Sequence, residues 1–184
     1  NAVVENFRDV KISWLTALGN NNKGFEVERN LNGSVWKKVG WITGNGNVTN
    51  QSVYSYTDKK LDIGTYYYRL KQIDYNGNFE YFQVNETILI NSPGLFNISQ
   101  NYPNPSNPVS TIEYQIPEVS KVSLNLYDVK GSKVKELVNQ NQEPGYYSIK
   151  FDGNSLASGV YFYTIVVQAP RISYTETKKM LLIK

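Results

Sequence analysis

Apolar and polar residues alternate in short bursts along most of the chain. In VKISWL, Val10, Ile12 and Trp14 fall on one side of an extended backbone and Lys11 and Ser13 on the other, the period-two signature of a strand with one buried face. FEVERN repeats the pattern, with Phe25 and Val27 opposed by Glu26 and Glu28, so both carboxylates are expected on the solvent face. LNGS then predicts a hairpin into VWKKVGWI, because Asn-Gly supplies the positive φ angles of a tight turn. GNGNVTNQS reads as a loop and VYSYTD as a short strand. TYYYRLKQID is a longer strand in which Tyr66, Tyr68 and Leu70 share a face, and YNGN turns it into FEYFQVNETILI. Seven or so strands with closely spaced turn signals and no helical period predict a β-sandwich.

NSPGLF interrupts this pattern and places a boundary near Ser92. In NISQNYPNPSNP three prolines fall within six residues, which forbids a central strand and predicts an edge or an extended loop. Alternation returns in STIEYQIP, KVSLNLYDVKG, SKVKELV, GYYSIKFDG, GVYFYTIVVQ and SYTETKKMLLIK. The fold class expected is therefore all-β, as two tandem sandwiches over residues 1–91 and 92–184, each with its own core. The last strand sets Met180 and Leu182 on one face and Leu181 and Ile183 on the other. Apolar residues on both faces predict a strand covered from two sides or paired at an edge.

Composition narrows the chemistry. Fifteen Tyr and a 14% aromatic content favour strands. The charge of +3 is mild and the basic residues are scattered, whereas nucleic-acid binding needs a concentrated basic footprint. With no Cys and no His, thiol nucleophiles, imidazole bases and Cys/His zinc sites are excluded. No apolar run approaches the roughly 20 residues of a membrane-spanning helix. The chain starts at Asn1 within strand-like sequence, without an initiator Met or a signal peptide, and is expected to be the C-terminal piece of something longer.

Three candidate constellations weigh less than their ordinary explanations. DYNGNFE sets Asp74, Asn76, Asn78 and Glu80 at alternate positions, loosely like a calcium loop, but a hairpin turn at Asn76-Gly77 accounts for the same letters. Trp14, Trp36 and Trp41, with Tyr54, Tyr56 and Tyr66 to Tyr68, could stack on sugar rings, yet aromatics are the usual filler of sheet faces. Asp58, Asp62, Asp74, Asp128 and Asp152 all sit beside turns, where local backbone hydrogen bonding explains them. No convergent acid–base set emerges, so no enzyme activity and no cofactor or metal are expected. Asn-X-Ser/Thr at Asn32, Asn47, Asn50, Asn85 and Asn97 mark surface loops.

Four ordered segments of the second half carry a family likeness: NYPNPSNPVSTIEYQIP, VSLNLYDVKGSKVKELV, GYYSIKFDGNSLASGVYFYTI and the closing TKKMLLIK. In these it resembles the immunoglobulin-like C-terminal sorting domain of the type IX secretion system of Bacteroidetes and their relatives. Ser106 departs from the family, which commonly has an aromatic after Pro-Asn-Pro. In ISWLTALGNNNKGFEVERN and DIGTYYYRLKQIDYNGNFEYF the first half resembles the fibronectin type III-like domains that often precede such sorting domains.

The likeness implies a non-catalytic C-terminal region of a secreted or cell-surface bacterial protein. The first sandwich is then a spacer or adhesion module, and the second directs export from the periplasm across the outer membrane. Its partners would be the secretion and sortase machinery. Tyr127, Asp128 and Gly131, then Leu156, Gly159 and Tyr161, then Lys178, Lys179 and Lys184 correspond to the family's recurring segments. Gly131 and Gly159 also lie where positive φ is cheap only for glycine. Two alternatives stand beside this reading. One is a structural subunit of an extracellular fibre that pairs strands with itself or its neighbours; the other is a carbohydrate-binding module resting on the aromatics.

Overall fold

The computed structural model describes residues 1–17, 19–170 and 172–184, and these contain strands and turns with no helix. They divide into two compact units, Asn1–Asn91 and Ser92–Lys184. The strands of the first are β1 (Ala2–Glu5), β2 (Asp9–Thr16), β3 (Gly19–Leu31), β4 (Lys37–Val48), β5 (Ser52–Asp58), β6 (Gly64–Asp74), β7 (Phe79–Gln83) and β8 (Ile88–Ile90). Strands β1-β2-β5 make one antiparallel sheet; β4-β3-β6-β7 make the other, with β8 also pairing β6. The alternation read from the sequence holds where it matters. Val10, Ile12, Phe25, Val27, Tyr66, Tyr68 and Leu70 all point into one core, and Trp14 packs against it, stacked on Tyr54.

Several details differ from the sequence expectation. GNGNVTNQS is not wholly a loop, because residues 44–48 continue β4 and pair back to Asn22 and Gly19 through shifted registers. The Asn22 side chain lies across Gly44, where a Cβ would come within 2.7 Å of it. Glycine here admits a close approach inside a bulged strand rather than a turn. Glu28 is not a solvent-face carboxylate but buried, 2.6 Å from Nε of Arg69. Asp58 is not merely a turn residue. It ends β5 buried, and one oxygen accepts hydrogen bonds from Arg29 Nη1 at 2.9 Å and from the Tyr68 hydroxyl at 3.0 Å.

The second unit contains β9 (Asn97–Ile98), β10 (Val109–Ile116), β11 (Ser120–Tyr127), β12 (Lys133–Gln142), β13 (Gly145–Asp152), β14 (Gly159–Gln168) and β15 (Ser173–Leu182). Its sheets are β13-β10-β9 and β12-β11-β14-β15. Burial alternates almost without exception along β10, β11 and β14. Ile112, Ile116, Leu124, Leu126, Tyr163, Ile165 and Phe151 form the centre of this second core. Each such buried side chain contributes about 1.5–3 kcal/mol.

Residues 1–91 and 92–184, produced separately, are each expected to give a cooperative thermal transition, since each unit holds a core of its own. Failure of both fragments to melt cooperatively while the whole chain does would contradict this.

Candidate functional site

The chain's last strand is an edge. β15 pairs with β14 over ten residues without a break in register, from Ser173↔Gln168 to Leu182↔Gly159. Alternation aims Met180 and Leu182 into the core, where both are fully buried, while Ile183 stays 44% exposed. The terminal Lys184 is held at both ends. Its backbone N–H donates to Ser158 Oγ at 3.2 Å and its ammonium to the Asn154 carbonyl at 2.7 Å. An extended segment thus becomes a fixed end through its two buried anchors and this last-residue clamp.

A strand edge carries unpaired N–H and C=O groups, and here the proline-bearing segment covers part of them. The backbone N–H of Ser106 donates to Leu181 O at 2.7 Å, and Ile183 N–H donates to Ser106 O at 2.9 Å, so one residue runs parallel to Leu182 as a strand would. Asn104 Oδ1 accepts from Leu181 N–H at 3.0 Å, and Gln100 Nε2 donates to Lys179 O at 2.7 Å. The segment is anchored behind by Asn101, whose N–H donates to the Tyr163 hydroxyl at 2.9 Å and whose amide reaches Pro103 O and Ser110 Oγ. Tyr163 in turn donates to Ser99 O at 2.8 Å. Burial pushes the Tyr163 hydroxyl up to about 12, against the opposing effect of the Asn101 N–H, so it remains a donor. Ser106 is fully buried, and its hydroxyl bonds Pro108 O at 3.0 Å. Of these residues only Ser106 stood out in the sequence, and only as a departure from the family pattern. The available signal was the concentration of Asn, Gln and Ser around prolines that cannot themselves continue a ladder.

The nine residues singled out from the sequence divide by role. Asp128 closes the β11–β12 turn, its Oδ1 accepting from Lys130 N–H at 2.8 Å and Ser132 N–H at 2.9 Å. Gly131 completes that turn at φ 80, a left-handed conformation natural to glycine. Tyr127 on β11 is the register partner of Phe162 on β14, and Phe162 that of Lys179 on β15. Tyr127, Phe162 and Lys179 therefore form one row on the outer face of this sheet. A shallow depression lined by Tyr127, Asp128, Val129, Gly131, Phe162 and Thr164 opens beside it. Leu156 and Tyr161 face the core instead, the Tyr161 hydroxyl donating to Ala157 O at 2.9 Å, and Gly159 is the register partner of Leu182. Lys178 pairs with Glu176 at 2.8 Å, and Lys179 is exposed. The β11–β12 turn, residues 153–158, the proline segment and the C-terminus thus gather at one pole of this unit.

In the first unit, residues 74–78 form a turn in which Asn78 N–H donates to Asn76 Oδ1 and Gly77 N–H to Asp74 O, both at 3.0 Å. Among the described residues no group of three or more His, Cys, Asp or Glu could hold a metal ion, and no helix is long and apolar enough to cross a membrane. The outward aromatics carry cations on their faces. Arg69 sits 4.4 Å from the Trp36 ring and 4.0 Å from Tyr81, Lys71 lies 4.3 Å from Phe79, and Lys38 5.4 Å from Trp41. Glu26 receives Lys38 at 2.6 Å and Lys71 at 3.7 Å. The hydrogen bond from Lys38 is the main influence holding the Glu26 carboxyl below its ordinary range. This face is a lattice of stacked rings and ion pairs.

Residues 100–182 match the family model of the secretion system C-terminal sorting domain. The match begins at Gln100, which caps Lys179, and ends with the last residue of β15. No curated protein sequence matches the chain. Among solved structures it is similar to dimeric latent PorU from Porphyromonas gingivalis, at 16% identity over 95% of this chain and 18% of that one, with a TM-score of 0.39. It is also similar to the chicken interferon gamma receptor alpha chain, at 15% identity over 100% of this chain and 96% of that one, with a TM-score of 0.32. The chain thus spans less than a fifth of the PorU chain, and neither overlay is close enough to transfer a role to any residue. The matched family is non-catalytic and marks cargo that the type IX secretion system exports to the cell surface or the extracellular space. Residues 100–182, somewhat less than half of the chain, are thus similar to the secretion system C-terminal sorting domain of type IX export.

Proposed function

We propose that the chain is the non-catalytic C-terminal region of a secreted or surface-bound bacterial protein. In this reading residues 92–184 direct passage from the periplasm across the outer membrane, and residues 1–91 form a fibronectin type III-like spacer or adhesion module. The observation that carries it is the single pole at which the matched segments meet around a clamped C-terminal strand. A machinery that must recognise many unrelated cargoes needs a surface independent of what lies upstream, and a pole assembled within one unit supplies it. Lys179, beside Phe162 and Tyr127 and free of any ion pair among the described residues, is the charge best placed to be read.

The test fuses residues 92–184 to a periplasmic reporter in a host with type IX secretion. The reporter is expected outside the cell. Replacing Lys178, Lys179 and Lys184 with Gln is expected to lower the melting temperature only modestly, because it gives up one exposed ion pair and one exposed hydrogen bond, each worth about 1 kcal/mol or less, and to lower export at least tenfold. Unchanged export of the folded Gln variant would show that strand shape is read and the charges are not. A reporter that stays in the periplasm with the native sequence would refute the reading.

A further inference from the structure

The two edges of the β12-β11-β14-β15 sheet are built differently. β12 is defended against pairing: its register against β11 shifts twice, and Lys133, Lys135 and Glu136 lie along it. Bulges and charges of this kind blunt an edge. β15 has no shift in ten residues and contains no proline. Its outward backbone groups belong to the odd-numbered residues, as the partners of Lys179, Leu181 and Ile183 establish. The proline segment covers that edge from the Lys179 carbonyl onward and leaves Thr175, Thr177 and the Lys179 N–H facing solvent. Thr175, Thr177 and Lys179 are all exposed. The edge is therefore half closed, with a built stop at one end.

We propose that this open half of β15 pairs antiparallel with the same segment of a second copy of the chain, centred on Thr177. The register follows from charge. Hydrogen-bonded pairs must join outward-facing residues, so odd-numbered positions meet odd-numbered ones, and few registers remain. Centred on Glu176, the pairing sets Glu176 against its own copy, and like charges directly opposite are destabilising. Centred on Thr177, it sets Thr175 against Lys179 and Glu176 against Lys178, each twice. Glu176 and Lys178 already pair within the strand at 2.8 Å. The dyad would close them into a ring of four alternating charges at non-hydrogen-bonded positions, where side chains approach most closely. On the opposite face Thr177 already shares a 2.8 Å hydrogen bond with Thr164, and the dyad extends that row of threonine hydroxyls across both copies. The stop at Leu181 prevents longer overlap and so fixes the register. Five paired residues fall well below the roughly 1,000 Å² of a stable interface, so the association is weak and favoured where copies are concentrated.

Sedimentation of the full chain is expected to show a reversible dimer as concentration rises toward about 1 mM. Thr177→Pro removes an outward N–H that no neighbour among the described residues uses, which an edge strand tolerates. It also gives up the exposed Thr177–Thr164 hydroxyl bond, so it should lower the melting temperature by at most about 8 °C, leaving the unit folded, while lowering association at least tenfold. Lys178→Glu should weaken association similarly by setting acid against acid, and Glu176→Lys combined with Lys178→Glu should restore it. A chain that stays monomeric at this concentration overturns the proposal, as does a dimer indifferent to Thr177→Pro or to the charge exchange. Loss of export in Thr177→Pro without any self-association would mean that the edge receives a foreign strand, which also overturns it. The sorting role is read out by reporter export of the native sequence, so the two ideas fail separately.

Discussion

Leu182→Ala is expected to destabilise the second unit by about 3–5 kcal/mol, the upper part of the range for a buried leucine. Its side chain has no accessible surface, and its methyl groups lie against Gly153, where an added Cβ would stand 2.7 Å away. Glycine has no side chain to swing into the vacated space, so the cavity persists and its cost is not relieved. A unit of 93 residues, from Ser92 to Lys184, would lose roughly 12–30 °C in its melting temperature. Met180→Ala should cost about 2–4 kcal/mol on the same grounds, since Met180 is equally buried. Together these losses approach the whole stability of a small domain. Deleting residues 178–184 should therefore abolish export by unfolding the signal, whatever the machinery reads. Thermal melts monitored by near-ultraviolet circular dichroism check the prediction, and a variant that melts within 3 °C of the native protein would contradict it.

Asp58→Ala should have a comparable effect confined to the first unit, about 3–5 kcal/mol. It strands Arg29, whose guanidinium is 2.9 Å from the carboxylate, and the Tyr68 hydroxyl at 3.0 Å. Burial, reinforced by the neighbouring Asp58 charge, pushes the Tyr68 hydroxyl well above its ordinary range, so it is a protonated donor in need of an acceptor. Both partners remain inside the fold after the substitution, and a half-removed ion pair costs more than none. Asp58→Ala combined with Arg29→Met should accordingly recover part of the loss, and the double-mutant cycle measures how much. In a scan of the whole chain only one of two transitions should move. A shift of both by similar amounts would show that the units do not melt independently.

The contrast between these predictions reflects how differently the two sites can be read. Met180 and Leu182 announce themselves as strand residues within an apolar run of four, although Leu181 and Ile183 are equally apolar and only the fold shows which pair is buried. Asp58 gives no such sign. Its partners come from β3 and β6, and beside VYSYTD it looks like any aspartate that ends a strand. Glu28 misleads for the same reason, since alternation sends it to the outer face and its ion pair with Arg69 on the neighbouring strand leaves no mark in the local sequence. Residues 44–48 mislead in the opposite direction. Gly and Asn are the letters of a turn, and they are equally the letters of a bulged strand packed across Asn22.

The candidate site shows the same division. Tyr127, Asp128, Gly131, Lys178 and Lys179 were visible as segments, and the turn chemistry of Asp128 and Gly131 is local enough to follow from their spacing alone. That Lys179 stands beside Phe162 and Tyr127 is a matter of strand order and register. That Gln100, Asn104 and Ser106 close half of the terminal edge depends on contacts that span more than seventy residues of sequence. By itself the sequence determined which apolar residues face inward along most strands, where most strands turn, and that no thiol or imidazole chemistry can occur, because these follow from the two-residue repeat, local dihedral preferences and composition. Tertiary structure alone decided which charges are buried in pairs and which half of the last strand stays open. Those outcomes depend on which strands become neighbours, and hydrogen bonds between neighbouring strands carry no mark in the local pattern of either one.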